Sequence, residues 1–376
     1  MRIAYVSTYL PQRCGIATYV DYLTRAMNKV NPEVEIEIIA EKGAFPIRRA
    51  KLEVIPCWDR REDYVAPILA NSKGADIVHV QHEYSIYGFD DRLPRTLENL
   101  ISAKRVVTIH CVRPSQFCER GRVDEDFAKR VAELADEVIV HLESQKAILT
   151  RLGVPPKKIH VIPHGTELSD VDKLESRKRL GLPKDARIML MFGFVKPHKC
   201  LHVAIEALSE IRKEVKNVYL FVAGGLAPTA PKKQREYVEH IQKQVKDLGL
   251  SDRVIIPNKF YPNDDVPYLF GGCDLVLFPY YEEDRSASGS FHLAVGAGKP
   301  IIASRMPKFE ELKNICDELL ILPHNASGIA QTAIRLFGDP EFEHFVLKKT
   351  REYAIKTSWQ AAAKKHLELY KRVLAG

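Results

Sequence analysis

The chain of 376 residues has 56 Lys and Arg against 49 Asp and Glu, a formal charge of +7, with 45% hydrophobic and 28% charged residues. That length exceeds what one core organises, so two domains are expected, and no stretch reaches the roughly 20 uninterrupted apolar residues of a membrane-spanning helix. Seven cysteines, odd in number and scattered without a C-x-x-C pair, read as reduced thiols and argue against a disulfide framework or a zinc site.

The opening Met1-Arg-Ile-Ala-Tyr-Val runs directly into a core strand with no signal-peptide layout, which predicts a cytoplasmic protein. Strands are predicted at Ile3–Ser7, Glu35–Ala40, Ile77–Gln81, Arg105–Ile109, Glu137–His141 and Ile159–Ile162, with helices at Ala17–Val30 and Phe127–Ala135. Near-continuous Val and Ile runs of this kind belong to a parallel sheet covered on both faces. An acidic, irregular stretch after Gly165, broken again by Gly181-Leu-Pro183, reads as a linker.

The second half repeats the alternation. Strands are predicted at Ile188–Phe192, Tyr219–Ala223, Arg253–Ile256, Leu275–Pro279 and Ile301–Ser304, with helices at Leu201–Val215 and Lys232–Leu248. Two doubly wound α/β domains therefore follow, with ligands expected outside the carboxyl ends of the strands and a cleft between the domains. In the final helix Trp359, Ala363, Leu367, Tyr370 and Leu374 fall on one stripe that should pack on a domain.

The strand ending at Phe192 leads into Gly193-Phe-Val-Lys196-Pro-His-Lys199-Cys200 and then a helix. A glycine that lets N–H groups approach an anion, a helix start and two lysines suit a phosphate. Basic clusters at Arg48-Arg49-Ala-Lys51, Arg60-Arg61, Lys232-Lys233 and Lys364-Lys365 lack interleaved aromatics and read as solvated surface, which excludes a nucleic-acid groove and leaves at most peripheral membrane contact.

These segments, in order, resemble the retaining nucleotide-sugar glycosyltransferases of GT-B architecture, family 4-like and also called glycosyl transferases group 1. The resemblance rests on Tyr9 to Tyr19, Val78-His-Val-Gln-His82-Glu83-Tyr84, Val107-Thr-Ile-His110, Val161-Ile-Pro-His-Gly165, Gly193 to Lys199, Val222-Ala-Gly-Gly225, Asp274 to Pro279 and Gly296 to Ile302. It implies an acceptor-side Rossmann-like domain over 1–168, a nucleotide-sugar-binding one over 169–355, and a helix over 356–376 crossing back to the first. It also implies a metal-independent hexosyltransferase that moves sugar from a nucleotide diphosphate to an acceptor hydroxyl on a saccharide, lipid or small molecule.

Two departures accompany it. Phe194 stands where the family usually has arginine, and the paired glutamates of the family would fall on Arg285 and Leu293. The stretch from Glu282 to Ser290 is instead similar to a subgroup with Ser-x-Ser-Gly.

Residue by residue, the expectation is that Lys199 stabilises the leaving diphosphate, with Lys196 standing in for the absent arginine. Gly15, Gly193, Ser288, Gly289 and Ser290 would contribute backbone or side-chain contacts to the donor. Asn258-Lys259-Phe260-Tyr261 lies where the family places the base, and Glu310 or Glu311 near the ribose and phosphate. His110 would hydrogen-bond the donor sugar or position the reacting centre, through its ring or its backbone carbonyl; on the acceptor side Arg13 would contact the acceptor or the donor, and His82 and Glu83 would hold the acceptor or shape the floor. No metal or other cofactor is expected: His79 and His82 fall on opposite faces of a strand, and Asp170-Val-Asp172 sits in the linker. Gly298-Lys299-Pro300 is no P-loop, and no G-x-S-x-G elbow exists. Two alternatives remain open, a GT-B nucleotide-sugar epimerase and an inactive nucleotide-sugar binder.

Overall fold

In chain order the first elements are β1 (Arg2–Ser7), α1 (Gly15–Val30), β2 (Glu35–Glu41), β3 (Ile47–Arg49), β4 (Leu52–Trp58), α2 (Val65–Asn71), β5 (Ile77–His82), α3 (Tyr84–Tyr87), α4 (Arg92–Asn99), β6 (Lys104–Ile109), α5 (Val123–Leu134), β7 (Glu137–Val140), α6 (Glu143–Arg151) and β8 (Ile159–Val161). They continue with α7 (Lys173–Leu180), β9 (Arg187–Phe192), α8 (Leu201–Glu214), β10 (Val218–Ala223), α9 (Lys232–Asp247), β11 (Val254–Ile255), α10 (Val266–Gly271), β12 (Leu275–Phe278), α11 (Gly289–Gly296), β13 (Ile301–Ser304), β14 (Leu320–Ile321), α12 (Ala326–Gly338), α13 (Pro340–Lys356) and α14 (Trp359–Ala375). This computed structural model describes residues 1–118, 120–226, 230–281 and 286–376, so Arg285 and the acidic residues just before it lie outside the described residues. The chain divides into two units, the first gathering Met1–Gly165 and Thr357–Gly376, the second most of Thr166–Lys356.

The first unit carries a sheet in the order β3-β4-β2-β1-β5-β6-β7-β8. All neighbours are parallel except β3 and β4, a hairpin that sequence patterning does not reveal because Pro56 interrupts β4. From β1 the chain winds outward through β2 to β4, then returns to pair β5 with β1 on the other side. The carboxyl ends of β1 and β5 therefore flank a switch point, where the loop Thr8–Cys14 feeds α1.

Helix α14 packs into the same core. Trp359, Ala363, Leu367 and Tyr370 are buried as the stripe predicts, whereas Leu374 is 41% exposed and Val373 takes the buried place. The Tyr370 hydroxyl lies 2.8 Å from that of Tyr5 and 2.6 Å from His79 Nδ1, and His79 Nε2 lies 2.7 Å from Thr108 Oγ1. Trp359 also covers Gly165 so closely that a Cβ there would fall 2.1 Å from its ring, which only glycine permits.

The second unit holds a fully parallel sheet in the order β11-β10-β9-β12-β13-β14. The order reverses between β9 and β12, so the loop after Phe192 opens at a second switch point. The predicted linker is corrected here: residues 173–180 form α7. Asp172 caps it by accepting from the Glu175 N–H at 2.7 Å, and Gly181 ends it in the left-handed region at φ 68°. Arg177 on this helix is 2% exposed and donates to Asp274 Oδ2 at 2.6 Å and to the Gly272 carbonyl at 3.0 Å. Asp274 also accepts from the Ile188 N–H at 2.6 Å and from Lys173 at 2.5 Å. The amino ends of β9 and β12 are thereby tied to α7.

Among the described residues no helix is long and apolar enough to cross a membrane.

Candidate functional site

In the second unit three strand-end loops are knitted together. The Gly193 N–H donates to the Ala223 carbonyl and the Val195 N–H to the Gly225 carbonyl, both at 3.0 Å, and the Leu226 N–H donates to Asn258 Oδ1 at 3.0 Å. Such proximity requires glycines: a Cβ on Gly224 would fall 2.1 Å from the Gly193 carbonyl oxygen, and one on Gly225 would fall 2.4 Å from Asn258 Oδ1. Gly193 itself adopts φ 91°, a left-handed conformation natural to glycine.

Lys199 closes a 3₁₀ turn, Pro197–Lys199, at the head of α8. Its Nζ folds back to donate to the Phe192 carbonyl at 2.8 Å and lies 5.4 Å from the Tyr280 ring centre. The lysine charge is thus held within the loop that Gly193 opens. Lys196 is exposed, and Phe194 and Phe260 are exposed too, stacked with ring centres 6.5 Å apart. A cavity of about 480 Å³ adjoins, lined by Val195, Leu226 and Asn258 from the loops and by Val238 and Ile241 from α9.

Ser288, Gly289 and Ser290 open α11. The Ser288 hydroxyl accepts from the Phe291 N–H at 3.2 Å as the helix cap. Its side chain is therefore a structural acceptor, and the N–H groups of Gly289 and Ser290 are the ones the first helical turn leaves without intrahelical partners. Leu293 lies inside this helix.

The two glutamates of the Pro307 segment separate clearly. Glu311 is buried, accepting from the Tyr353 hydroxyl at 2.7 Å and lying 3.1 Å from His292 Nε2, while His292 Nδ1 lies 2.8 Å from Thr166 Oγ1. That is a packing network. Glu310 is half-buried.

In the first unit four adjacent strands each end in or near a histidine: His82 closes β5, His110 follows β6, His141 follows β7 and His164 lies just beyond β8. His141 Nδ1 faces the Ile162 carbonyl at 2.9 Å and so carries a proton. Its Nε2, 3.1 Å from His110 Nδ1, then accepts when the ring is neutral, which leaves His110 Nε2 as an acceptor. Gln81 lies against that atom, its Oε1 at 3.0 Å and its Nε2 buried without a hydrogen-bond partner. With both rings neutral the Gln81 amide must present Nε2 to His110, which also satisfies the stranded nitrogen. Burial first, and then the neighbouring His141, which opposes a second positive charge beside it, keeps the His110 pKa well below the ordinary value, so the neutral form holds.

Both ring nitrogens of His110 are therefore engaged inside the unit, and its carbonyl accepts from Gln145 Nε2 at 2.9 Å. Tyr19 anchors this chain of rings, packing at 4.8 to 5.4 Å on His110, His141, His164 and Trp359.

His82 is enclosed as well. It is fully buried among Tyr84, Tyr87 and Phe127, with neither ring nitrogen hydrogen-bonded, and burial, aided by the Arg113 charge, pushes its pKa down to about 3. It is part of the packed floor at the carboxyl end of β5. His79, on the opposite face against Tyr5 and Tyr370, confirms that the two histidines cannot chelate together. Glu83 is half-buried at the start of α3 with Arg113 3.9 Å away, and Arg13 is exposed in the β1–α1 loop. Gly15 opens α1 without a positive φ, and a Cβ there would meet nothing within 4 Å, so no internal contact calls for glycine.

Comparison with known proteins decides the family. Residues 172–357 match the family described as Glycosyl transferases group 1, and residues 14–170 match Glycosyltransferase Family 4. The chain belongs to these glycosyltransferases. The D-inositol 3-phosphate glycosyltransferase of Salinispora arenicola is 25% identical over 269 residues, covering 66% of this chain and 57% of that protein, so the chain spans little more than half of that relative. The 2-deoxystreptamine glucosyltransferase of Streptomyces kanamyceticus is 26% identical over 296 residues, 73% of this chain and 72% of the relative.

Among solved structures, Anabaena HepE in complex with UDP superposes with a TM-score of 0.74 at 17% identity, covering 99% of this glycosyltransferase and 100% of HepE. Sucrose-phosphate synthase from Thermosynechococcus elongatus gives 0.76 at 21% identity, covering 100% and 99%. At such identities the likeness establishes the GT-B fold class.

The structure thus assembles Gly193, Lys196, Lys199 and Phe260 on neighbouring strand-end loops of the second unit. Sequence reasoning missed His141 and Gln81 as hydrogen-bond partners of His110. The signal was present in the position of each at a strand's carboxyl end, but hydrogen bonding across the sheet is not encoded in spacing.

Proposed function

We propose that this glycosyltransferase moves a hexose from a nucleotide-diphosphate sugar to an acceptor hydroxyl with retention of configuration, stabilising the departing diphosphate with protein cations and N–H groups rather than a metal ion. The observation that carries the reading is the Gly193 loop. It opens at the switch point between β9 and β12, turns through a left-handed glycine and returns a lysine to the head of α8. Negative charge grows on the diphosphate as the glycosidic bond breaks, and preorganised donors stabilise that growth most where water is excluded.

Lys199 now donates to a neutral carbonyl and packs on Tyr280. Charge-assisted hydrogen bonds are about twice as strong as neutral ones, so a phosphate oxygen competes well for the same Nζ. The resemblance to retaining enzymes supports retention, and the bare strand-to-helix turn at Gly15, unexplained by internal packing, supports close approach of a ligand there.

HepE binds UDP and UDP-glucose, so uridine diphosphate sugars are the first donors to test. The named relatives point to D-inositol 3-phosphate and 2-deoxystreptamine as first acceptors. A thermal-shift screen across UDP-, GDP- and ADP-sugars should single out one donor, stabilising by about 2.7 kcal/mol at one hundred times its Kd. A flat screen refutes donor binding. A bound donor that is epimerised without acceptor, or never turned over, refutes transfer, and the anomeric configuration of the product tests retention.

A further inference from the structure

We propose that Cys200, His202 and His324 form a zinc site at the head of α8, next to the Gly193–Lys199 loop. One ligand atom from each residue lies within 4.8 Å of the others, with the thiol buried, His202 half-buried and His324 exposed. A tetrahedral ion with Zn–S near 2.3 Å and Zn–N near 2.0 Å brings its ligands to about 3.5 Å from one another. The remaining closure is about 1 Å, within reach of a side-chain rotation at the exposed His324.

A second feature marks the cluster. Tyr237 holds its hydroxyl 2.9 Å from His202 Nδ1, the outer contact that orients a ligating imidazole and leaves Nε2 available to an ion. His324 is flanked by ring contacts, 6.2 Å from His202 and 4.8 Å from Tyr281, which keep its imidazole at the cluster. One thiolate and two imidazoles suit zinc and disfavour magnesium or calcium, which take oxygen ligands.

Binding is balanced by one proton: the Cys200 thiol releases it to solvent, the sulfur lone pair forms the Zn–S bond, and water takes the fourth position. The ion pins residue 200, the end of the lysine loop, to the loop between β14 and α12. Its role is to hold that loop in register, separate from the bond-breaking step. Cys200 and His202 are two residues apart but His324 lies more than a hundred residues on, so no spacing motif reveals the set.

The test uses the full chain stripped with a chelator and titrated with cobalt(II), then competed with zinc(II). Expected are one cobalt per chain, a sulfur-to-cobalt charge-transfer band in the near ultraviolet, and displacement of both by zinc. Cys200→Ser should abolish the band. His324→Ala should weaken binding at least tenfold and Tyr237→Phe about tenfold, while circular dichroism of metal-free His324→Ala matches the parent and excludes misfolding. Absence of the band, its survival in Cys200→Ser, or unchanged affinity in His324→Ala each overturns the site.

Discussion

Replacing Arg177 with methionine removes the guanidinium that joins α7 to the base of the second sheet while leaving the aliphatic stem. The side chain is 2% exposed, and the change deletes its hydrogen bonds to Asp274, Gly272 and Lys184. Breaking a buried pair by removing one partner costs about 3 to 5 kcal/mol, because the other charge is left without compensation. Asp274 keeps the Lys173 ammonium at 2.5 Å and the Ile188 N–H at 2.6 Å. The expected loss therefore lies at the lower bound, about 3 kcal/mol. For a unit of this size that lowers the thermal midpoint by about 6 to 12 °C. Scanning calorimetry following the transition of the second unit measures it. Adding Asp274→Asn removes the stranded charge, so the double variant should be destabilised by less than the sum of the two single changes. A single variant within about 1 kcal/mol of the parent, or strictly additive losses, refutes the account of α7 as a structural clasp.

Three further outcomes are expected. Lys199→Ala should lower turnover by about 10² to 10³-fold, the range for losing one preorganised donor, with an unchanged thermal midpoint; steady-state kinetics beside differential scanning fluorimetry check both halves. Tyr370→Phe strips a hydroxyl from between Tyr5 and His79 and leaves the buried His79 Nδ1 without its partner, which should cost the first unit about 1 to 3 kcal/mol in urea denaturation. Acid should weaken the first unit well before its carboxylates titrate. Burial depresses the folded-state pKa of His79, His82, His110 and His366, that of His82 to about 3 and that of His366 to about 4. The unfolded chain binds protons first, so stability is full above about pH 6.5 and falls below it by about 1.4 kcal/mol per pH unit for each such histidine, until the folded values are reached. A flat unfolding free energy between pH 6.5 and 5 contradicts this.

How much of this was legible depended on what each segment buries. The Val- and Ile-rich strands announced both sheets because parallel strands bury both faces, and the glycine loops announced their sharp turns. Helix α7 escaped because its buried residues are Ser176 and Arg177, so no apolar stripe marks it. Strand β4 escaped because Pro56 reads as a breaker, and β3 because three residues carry too little pattern. In the second unit, the left-handed turn at Gly193 was readable from local chemistry. Ser288 looked like a ligand contact, although a serine heading a helical run is as readily a cap. The fates of His82 and His110 were not readable, since burial and partners come from strands and helices far along the chain.

The return of α14 to the first unit carries a consequence for the order in which the protein can fold during synthesis. The first unit is interrupted: its sheet is complete at residue 161, yet the helix that covers α1 and seats Trp359 over Gly165 emerges only after the whole second unit has been translated. The second unit has all its elements before that helix leaves the ribosome. The half that is made first is thus the last to close, and until then Tyr19, Tyr22 and the glycine socket stand open to water as the nascent chain's exposed apolar surface.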